Sequence, residues 1–479
     1  MTIELATIRE GLEDIVGKRN VSNNFFKISD YCMNHIAGKI SALSKCEPFL
    51  VARPETVEQL AGVVQYACRE RIPVYVRGGG SGYLGGEVPT TGGIVVETTG
   101  MDGIIDVDKE SGYVTCEPGI TVKALNEQLR KYGLWWPHDP GSRDWATVGG
   151  SIATLGGGAF STKFGNAPNT VVAMKIVTPE GDIVRLGSKV RHDWSHYDLI
   201  DFIASGEGTL GVIAEATIKI FKIPQTRAVG LAFFRKFEDA VTCCCKLTDA
   251  GLYPETLMMD DTLRFTLESI GPLIDLNSPA VKKLRLGSVE AVMAYGFAGS
   301  AEVVRSSMRI ANRIVKGCRG RLIADKKIVS AYWRSKTELP SWSTEISDMK
   351  LHSFVPTIPL SRAADFHHKY AEFTENPKLR RIGARYYVTL LYQQCTVSPT
   401  AMYDDNDPAA VKAYEEFTRR FATEVVKMGG APSSTLGVGM RLVDIVESLS
   451  DPSEMMLTKR IKRDLDPANV LNPGKKLKL

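Results

Sequence analysis

The chain has 479 residues, 24% charged and 44% hydrophobic, with 59 basic against 55 acidic residues for a formal charge of +4. At roughly 100 to 200 residues per domain this is two or three domains with full cores, which excludes disordered and collagen-like chains. The small, dispersed excess of base excludes nucleic acid as a partner, because that role wants a clustered basic face.

The first residues, MTIELATIREGLED, carry acids and no apolar h-region, so they are not a secretion signal. Residues 1–47 read as an N-terminal helical segment. From about 48 to 226 the chain is rich in glycine and alternates short strands with helices. An apolar strand ends at Pro54, and Thr56 caps a helix with Leu60, Val63, Val64 and Ala67 at helical spacing. The strand Pro73 to Arg77 runs into a glycine loop. Further strands are expected at Ile94 to Glu97, Ile104 to Asp108 and Tyr113 to Glu117, with a helix from Val122 to Lys131. Val171 to Thr178 and Asp182 to Leu186 form a hairpin turned at Glu180-Gly181, and a β-branched strand spans Val212 to Phe221.

From about 227 to 453 glycine thins out and strands alternate with amphipathic helices. Strands are expected near Val229 to Phe234, Val289 to Gly296, Phe354 to Ile358 and Arg385 to Tyr392. Helices are expected near Phe237 to Ala250, Ala301 to Lys316, Ser361 to Phe373 and Ala409 to Met428. That order predicts an α+β sheet with helices on one face. Residues 454–479 are a helix, Glu454 to Leu465, and an extended tail. No uncharged apolar run reaches the 18 to 20 residues of a membrane span. A cytoplasmic home is the simplest expectation, with peripheral membrane attachment left open.

Nine cysteines without any CxxC spacing and seven histidines give no zinc ribbon, iron–sulfur cluster or thioredoxin-like motif. Cys243, Cys244 and Cys245 would splay about 100° apart on a helix, so they read as buried thiols, and no metal site is expected. The loop RGGGSGYLGG at 77–86 contains a GxGxxG match at Gly80, Gly82 and Gly85. A Rossmann reading needs a helix to open within that run, and Glu87-Val88-Pro89-Thr90-Thr91-Gly92-Gly93 is not one. The glycines instead suit a nest of backbone N–H groups that cradles phosphate. Asp139 to Ala153, extended by the glycines at 156–158, and Gly206 to Ile213 repeat the pattern of small residues and hydroxyls. Three such loops fit a long ligand threaded along one domain, a dinucleotide.

With Pro54 and its helix, Arg77-Gly78-Gly79-Gly80-Ser81-Gly82, Pro140 to Ala153, Ser205 to Gly211, and Leu465-Asp466-Pro467 through Asn472-Pro473-Gly474-Lys475, the chain resembles the vanillyl-alcohol-oxidase or PCMH-type FAD-binding flavoprotein superfamily. It is most similar to the D-lactate dehydrogenase and glycolate oxidase flavoprotein subunit branch. The resemblance implies a two-part FAD-binding domain and a ferredoxin-like α+β cap that carries substrate. It implies FAD contacts at Arg77, Gly78, Gly79, Gly80, Ser81 and Gly82. It extends them to Pro140, Gly141, Ser142, Thr147, Val148, Gly149, Gly150, Ile152 and Ala153, then to Glu207, Gly208, Ile213 and Asn472. Some relatives bond FAD through a histidine in the first loop; Ser81 or its neighbours stand there, so noncovalent FAD is expected. The branch's metal-holding cap histidines are missing from Arg385 to Tyr392 and from Ser434 to Gly439, and metal-assisted chemistry is not carried over.

In their place, Arg385, Tyr387 and Thr389 alternate with Tyr386 and Val388, so one strand face projects a cation and a phenol toward the flavin. Arginine grips a carboxylate or phenolate with paired donors, and a phenol donates to a developing oxyanion. Arg334 stands where the branch places an arginine for the substrate carboxylate, and His352 is the best histidine for general-base work. His138 reads as a flavin neighbour or core residue. The expected activity is an FAD-dependent dehydrogenase or oxidase passing hydride from a small anionic alcohol of D-lactate or glycolate type to flavin N5. An aryl or phenolic alcohol oxidase, an electron-transfer subunit with an iron–sulfur partner, and an ether-lipid synthase-like transferase are the alternatives. An electron-accepting protein partner and a homodimer stay open.

Overall fold

The computed structural model describes residues 4–23, 33–34, 38–39, 50–190, 193, 195–261, 289–337, 349–372, 377–389 and 393–479. Helix α1 (Leu5–Val16) buries Ile8, Leu12 and Val16 against α2 (Val57–Glu70). Thr56 caps α2 by accepting from the Gln59 amide at 3.2 Å, and the predicted Leu60, Val63, Val64 and Ala67 face the core. Strand β1 (Val21–Ser22) runs antiparallel to β2 (Leu50–Ala52), while β2 and β3 (Val74–Arg77) flank β4 (Ile94–Glu97) in parallel, giving the order β1-β2-β4-β3. Among residues 78–93 the chain forms no helix, so the first glycine loop simply spans two parallel strands.

A second, antiparallel sheet follows. Strands β5 (Ile104–Asp108), β6 (Tyr113–Cys116), β7 (Val171–Val177), β8 (Ile183–Gly187) and β9 (Val212–Lys219) take the order β8-β7-β9-β6-β5. The turn at Glu180-Gly181 joins β7 to β8 as read from sequence. Helices α3 (Val122–Arg130), α4 (Val148–Ala153) and α5 (Leu199–Ala204) share its core through Leu125, Leu129, Val148, Ile152 and Ile203.

The cap sheet is antiparallel throughout. Its strands are β10 (Thr226–Phe234), β11 (Thr256–Asp260), β12 (Ala291–Gly299), β13 (Arg321–Leu322), β14 (Met349–Ser353), β15 (Thr357–Pro359), β16 (Arg380–Thr389) and β17 (Gln394–Asp404). They run in the order β13-β10-β12-β11-β16-β17-β14, with β15 also on β17. Period-two alternation sorts the side chains. Ala232, Phe234, Met259, Met293 and Tyr386 enter one core with α6 (Phe237–Asp249), α7 (Ala301–Gly317), α9 (Ala363–Ala371), α10 (Pro408–Lys427) and α11 (Val443–Leu449). Leu231, Phe233, Met258 and Val292 enter another, with Ala159 of the cofactor-binding half and Ile328, Ala331 and Tyr332 of α8 (Lys326–Thr337).

Four expectations change. Helices cover both faces, because α8 lies on the side opposite the main helical layer. Of the strand expected at Phe354 to Ile358 only Thr357 and Ile358 are strand, in β15, while β14 ends just before it at Ser353. Strands β11 and β17 were not anticipated. The expected Arg385 to Tyr392 strand is β16 from Arg380, and its 390–392 end, like Phe373 of the expected helix, lies outside the described residues.

The chain closes on its first sheet. After α12 (Pro452–Leu465), Leu471 bridges Val74 in parallel, and the Val74 amide donates to Val470 O at 2.8 Å. Lys462, 2% exposed, donates to Thr209 O at 2.7 Å and Leu471 O at 3.0 Å and pairs with Asp466. Asp466 in turn accepts from the Val470 and Leu471 amides. This ionic pair is fully hydrogen-bonded, the condition under which a buried charge is tolerated.

Candidate cofactor cleft and cap face

The three glycine loops converge on one cleft of about 1100 Å³, solvent at its mouth included. Eleven of its lining residues are glycine, which leaves backbone amides uncovered for a ligand. The loops touch so closely that several have no room for a side chain. A Cβ at Gly79 would lie 1.7 Å from Trp145 O, and one at Gly78 would lie 2.3 Å from Thr147 Oγ1. Thr147 caps α4 through the Gly150 amide, so the first loop rests on the cap of the second. Gly80, at φ +62°, turns the chain over the buried Arg77 guanidinium, 2.2 Å from where a Cβ would sit.

Of the residues expected to contact FAD, the 78–82 run, Pro140, Ser142, Thr147, Gly149, Gly150, Ala153, Glu207, Gly208, Ile213 and Asn472 line this cleft. Arg77, Gly141, Val148 and Ile152 do not. Val148 and Ile152 are the inward positions of α4 and are buried in the second-sheet core, while Arg77 supports the loop from below. Sequence spacing alone did not separate the two sides of that short helix.

Asn472 and Glu207 line the cleft, but their side chains have structural work. The Asn472 amide accepts from the Val76 N–H at 3.0 Å and donates to Glu207 O at 2.5 Å. The Glu207 carboxylate accepts from the Val438 and Gly439 amides, each at 2.7 Å, tying the third loop to the cap. Lys475, 1% exposed, donates to Gly85 O at 2.9 Å and to Val88 O, fixing the far end of the first loop. Burial pulls its pKa down to about 7 against the opposing pull of Glu87 and Glu207.

His138, read as a flavin neighbour or core residue, and Gly156 and Gly157, read as an extension of the second loop, line the cleft, as do two residues the sequence reading did not assign, Glu87 and, from the cap, Leu436. His138 packs on Trp136, ring centroids 4.6 Å apart, and burial pulls its pKa to about 3, so it is neutral near pH 7. The next residue, Asp139, is pushed up to about 8 by burial. An acid inside a glycine loop, as at Glu87, was the signal available for one of these.

The cap face opposite the main helical layer packs on Ala159 and, through Trp333, on Phe160 of the cofactor-binding half. Arg385 and Tyr387 share that face, as their alternation predicted, and Tyr386 enters the helical core. Arg385 is not a free clamp, however. Its Nε and Nη2 donate to Asp260 at 2.6 and 3.3 Å, and the Tyr332 hydroxyl donates to the same carboxylate at 2.9 Å. Burial disfavours the Arg385 charge, but Asp260 outweighs it and holds the guanidinium ionised. Burial and the neighbouring Asp260 charge raise the Tyr332 pKa, so its hydroxyl stays protonated. Tyr83 of the first loop packs against the helical core, and burial and then the nearby Tyr387 raise its pKa.

Two expected catalytic residues are placed elsewhere. His352 has the opposite parity: it is fully buried under the helical layer, stacked on Tyr403 at 4.0 Å, with Nδ1 2.6 Å from Arg441 Nη1. That corrects its expected role as the base beside the cofactor. Arg334 is exposed on α8, two residues past the inward Tyr332, and does not line the cleft. Among the described residues no group of three His, Cys, Asp or Glu side chains is arranged to hold a metal ion. No helix among them is long and apolar enough to cross a membrane.

A glycine-walled cleft between two sheets, capped by an α+β domain, defines an FAD-binding flavoprotein, and FAD is its cofactor. The FAD binding domain family matches residues 48–187, and the C-terminal domain of FAD linked oxidases matches residues 223–476. The chain belongs to the FAD-linked oxidase family. It is 28% identical over 442 residues to a D-lactate dehydrogenase of Archaeoglobus fulgidus, covering 90% of this chain and 91% of that one. It is 26% identical over 438 residues to the glycolate oxidase subunit GlcD of Bacillus subtilis, covering 89% and 88%. In fold it is similar to p-cresol methylhydroxylase with substrate bound, at a TM-score of 0.79, 17% identity and coverage of 99% and 97%. An alkyldihydroxyacetonephosphate synthase is similar at a TM-score of 0.74, 20% identity and coverage of 99% and 86%.

Proposed function

We propose that this FAD-dependent oxidoreductase of CH–OH donors oxidises small anionic 2-hydroxyacids of the D-lactate or glycolate type, with FAD held noncovalently. The observation that carries the reading is the glycine cleft, joined to a cap that sets Arg385, Tyr387 and Tyr332 on one face around Asp260. Likeness over about nine-tenths of a D-lactate dehydrogenase and a glycolate oxidase subunit supports the substrate class. Bound FAD supplies the two-electron acceptor. The 78–82 run, the loop from Pro140 to Ala153 and Gly208 hold its phosphates and adenosine through backbone amides. Arg385 and Tyr387 orient the donor's anionic group, with Asp260 fixing the guanidinium plane.

A second reading has its own support. The same cap face is aromatic, with Trp333 5.8 Å from Phe160 and Arg227 4.8 Å over the Phe160 ring, a surface suited to an aryl alcohol. One experiment tests both: anaerobic titration of the flavin absorbance with D-lactate, glycolate and aryl alcohols. Bleaching by a hydroxyacid supports the first reading, and bleaching by aryl alcohols alone transfers the assignment to the second. Acid precipitation tests the attachment, with a colourless pellet and a yellow supernatant expected.

A further inference from the structure

Among the described residues three ionisable side chains line the cofactor cleft: Glu87, His138 and Glu207. Glu207 is engaged through both carboxylate oxygens by the Val438 and Gly439 amides. His138 is neutral near pH 7 and lies behind Gly156, whose Cβ position is 3.2 Å from His138 Nε2. Glu87 is the acid of the set that keeps one oxygen unengaged. Its Oε1, like His138 Nε2, is buried and has no hydrogen-bond partner among the described residues, a condition that calls for a ligand as its counterpart.

The position is built rather than incidental. Lys475 holds the carbonyls of Gly85 and Val88, one on each side of Glu87. Gly82 leaves room for the carboxylate, since a Cβ there would lie 3.3 Å from Oε2. Glu87 shares the cleft with Leu436 of the cap, and Tyr83 of the same loop adjoins Tyr387. The carboxylate therefore stands at the cap end of the cleft.

We propose that Glu87 is a catalytic residue of the CH–OH oxidation, the group that accepts the donor's hydroxyl proton. The inference rests on the oxidoreductase reading above. Bound FAD would supply the two-electron acceptor for the donor's C–H hydride, so that the donor is oxidised to the carbonyl compound. The O–H bond breaks, its electrons form the C=O bond, and its proton passes to Glu87, leaving a neutral carboxylic acid. Lys475 acts as a positioning residue for this carboxylate.

The test compares the FAD-loaded protein with its Glu87→Gln and Glu87→Ala variants, flavin content being matched by visible absorbance. Two readouts are taken: the affinity for sulfite, followed by loss of the flavin band, and the anaerobic rate of bleaching by the best donor. Removing a negative charge from beside the flavin raises affinity for the anion sulfite at least tenfold in both variants. Removing a general base slows bleaching about 10² to 10⁴-fold, and formate restores part of the rate to Glu87→Ala, which a merely structural loss would not allow. A bleaching rate within twofold of wild type in Glu87→Gln overturns the proposal. Should no donor bleach even the wild type, the functional reading fails by itself. Sulfite then decides the carboxylate's placement: unchanged affinity overturns it, and a tenfold gain upholds it.

Discussion

Replacing Asp260 by Asn removes one charge from a buried polar cluster of the cap. Asp260 is fully buried and takes two hydrogen bonds from Arg385 and one from Tyr332. The Arg385 side chain is only 10% exposed, so the substitution leaves a guanidinium charge in a poorly solvated setting. Breaking such a pair from one side costs about 3 to 5 kcal/mol. For a cap of this size that is a fall in Tm on the order of 10 °C. Thermal and urea unfolding at fixed excess FAD would measure it, with circular dichroism and flavin fluorescence as paired probes. The double variant Asp260→Asn, Arg385→Met should recover at least half of the loss, because the stranded charge goes with its partner. A single-variant loss under about 0.5 kcal/mol, or a double variant no better than the single, would refute the reasoning.

Other outcomes follow from the same geometry. Gly79→Ala should fold but bind FAD at least tenfold more weakly, since its Cβ falls 1.7 Å from Trp145 O; equilibrium dialysis of the apoprotein checks this. His352→Gln should bleach with donor within about threefold of wild type, because the ring lies under the helical layer, and stopped-flow absorbance measures it. Asp139 has its pKa raised to about 8 from 3.8, so its stabilising share is complete below pH 3.8 and is lost as pH rises through about 8. Asp139→Asn should therefore gain stability relative to wild type between pH 6 and 9, read from urea midpoints; a difference that stays flat across that range would count against the assignment.

Much of the fold was legible because its signals are local. Thr56 and its 3.6-period helix, the Glu180-Gly181 turn and the glycine loops each declare themselves within a few residues. The alternation of Arg385 and Tyr387 also held, since strand parity is a property of the chain itself. What escaped was set by distant pairing. Asp260 sits on β11, which was not anticipated, and nothing near Arg385 in sequence announces a carboxylate 125 residues away. His352 looked like a base by residue type, but its face was fixed by the register of β14 on β17, with His352 opposite Ala401. Val148 and Ile152 were read as cofactor contacts because the motif runs through them, whereas α4 turns them into the core.

The central claim is that the glycine cleft holds FAD that is reduced by a small hydroxyacid at the cap face. Anaerobic addition of D-lactate or glycolate to the purified, FAD-loaded protein, followed at the flavin absorbance band, tests it most directly. The account predicts full bleaching by at least one of the two and reoxidation when an acceptor is added. An unchanged band with both acids and with aryl alcohols, in protein that dithionite still bleaches, would contradict it.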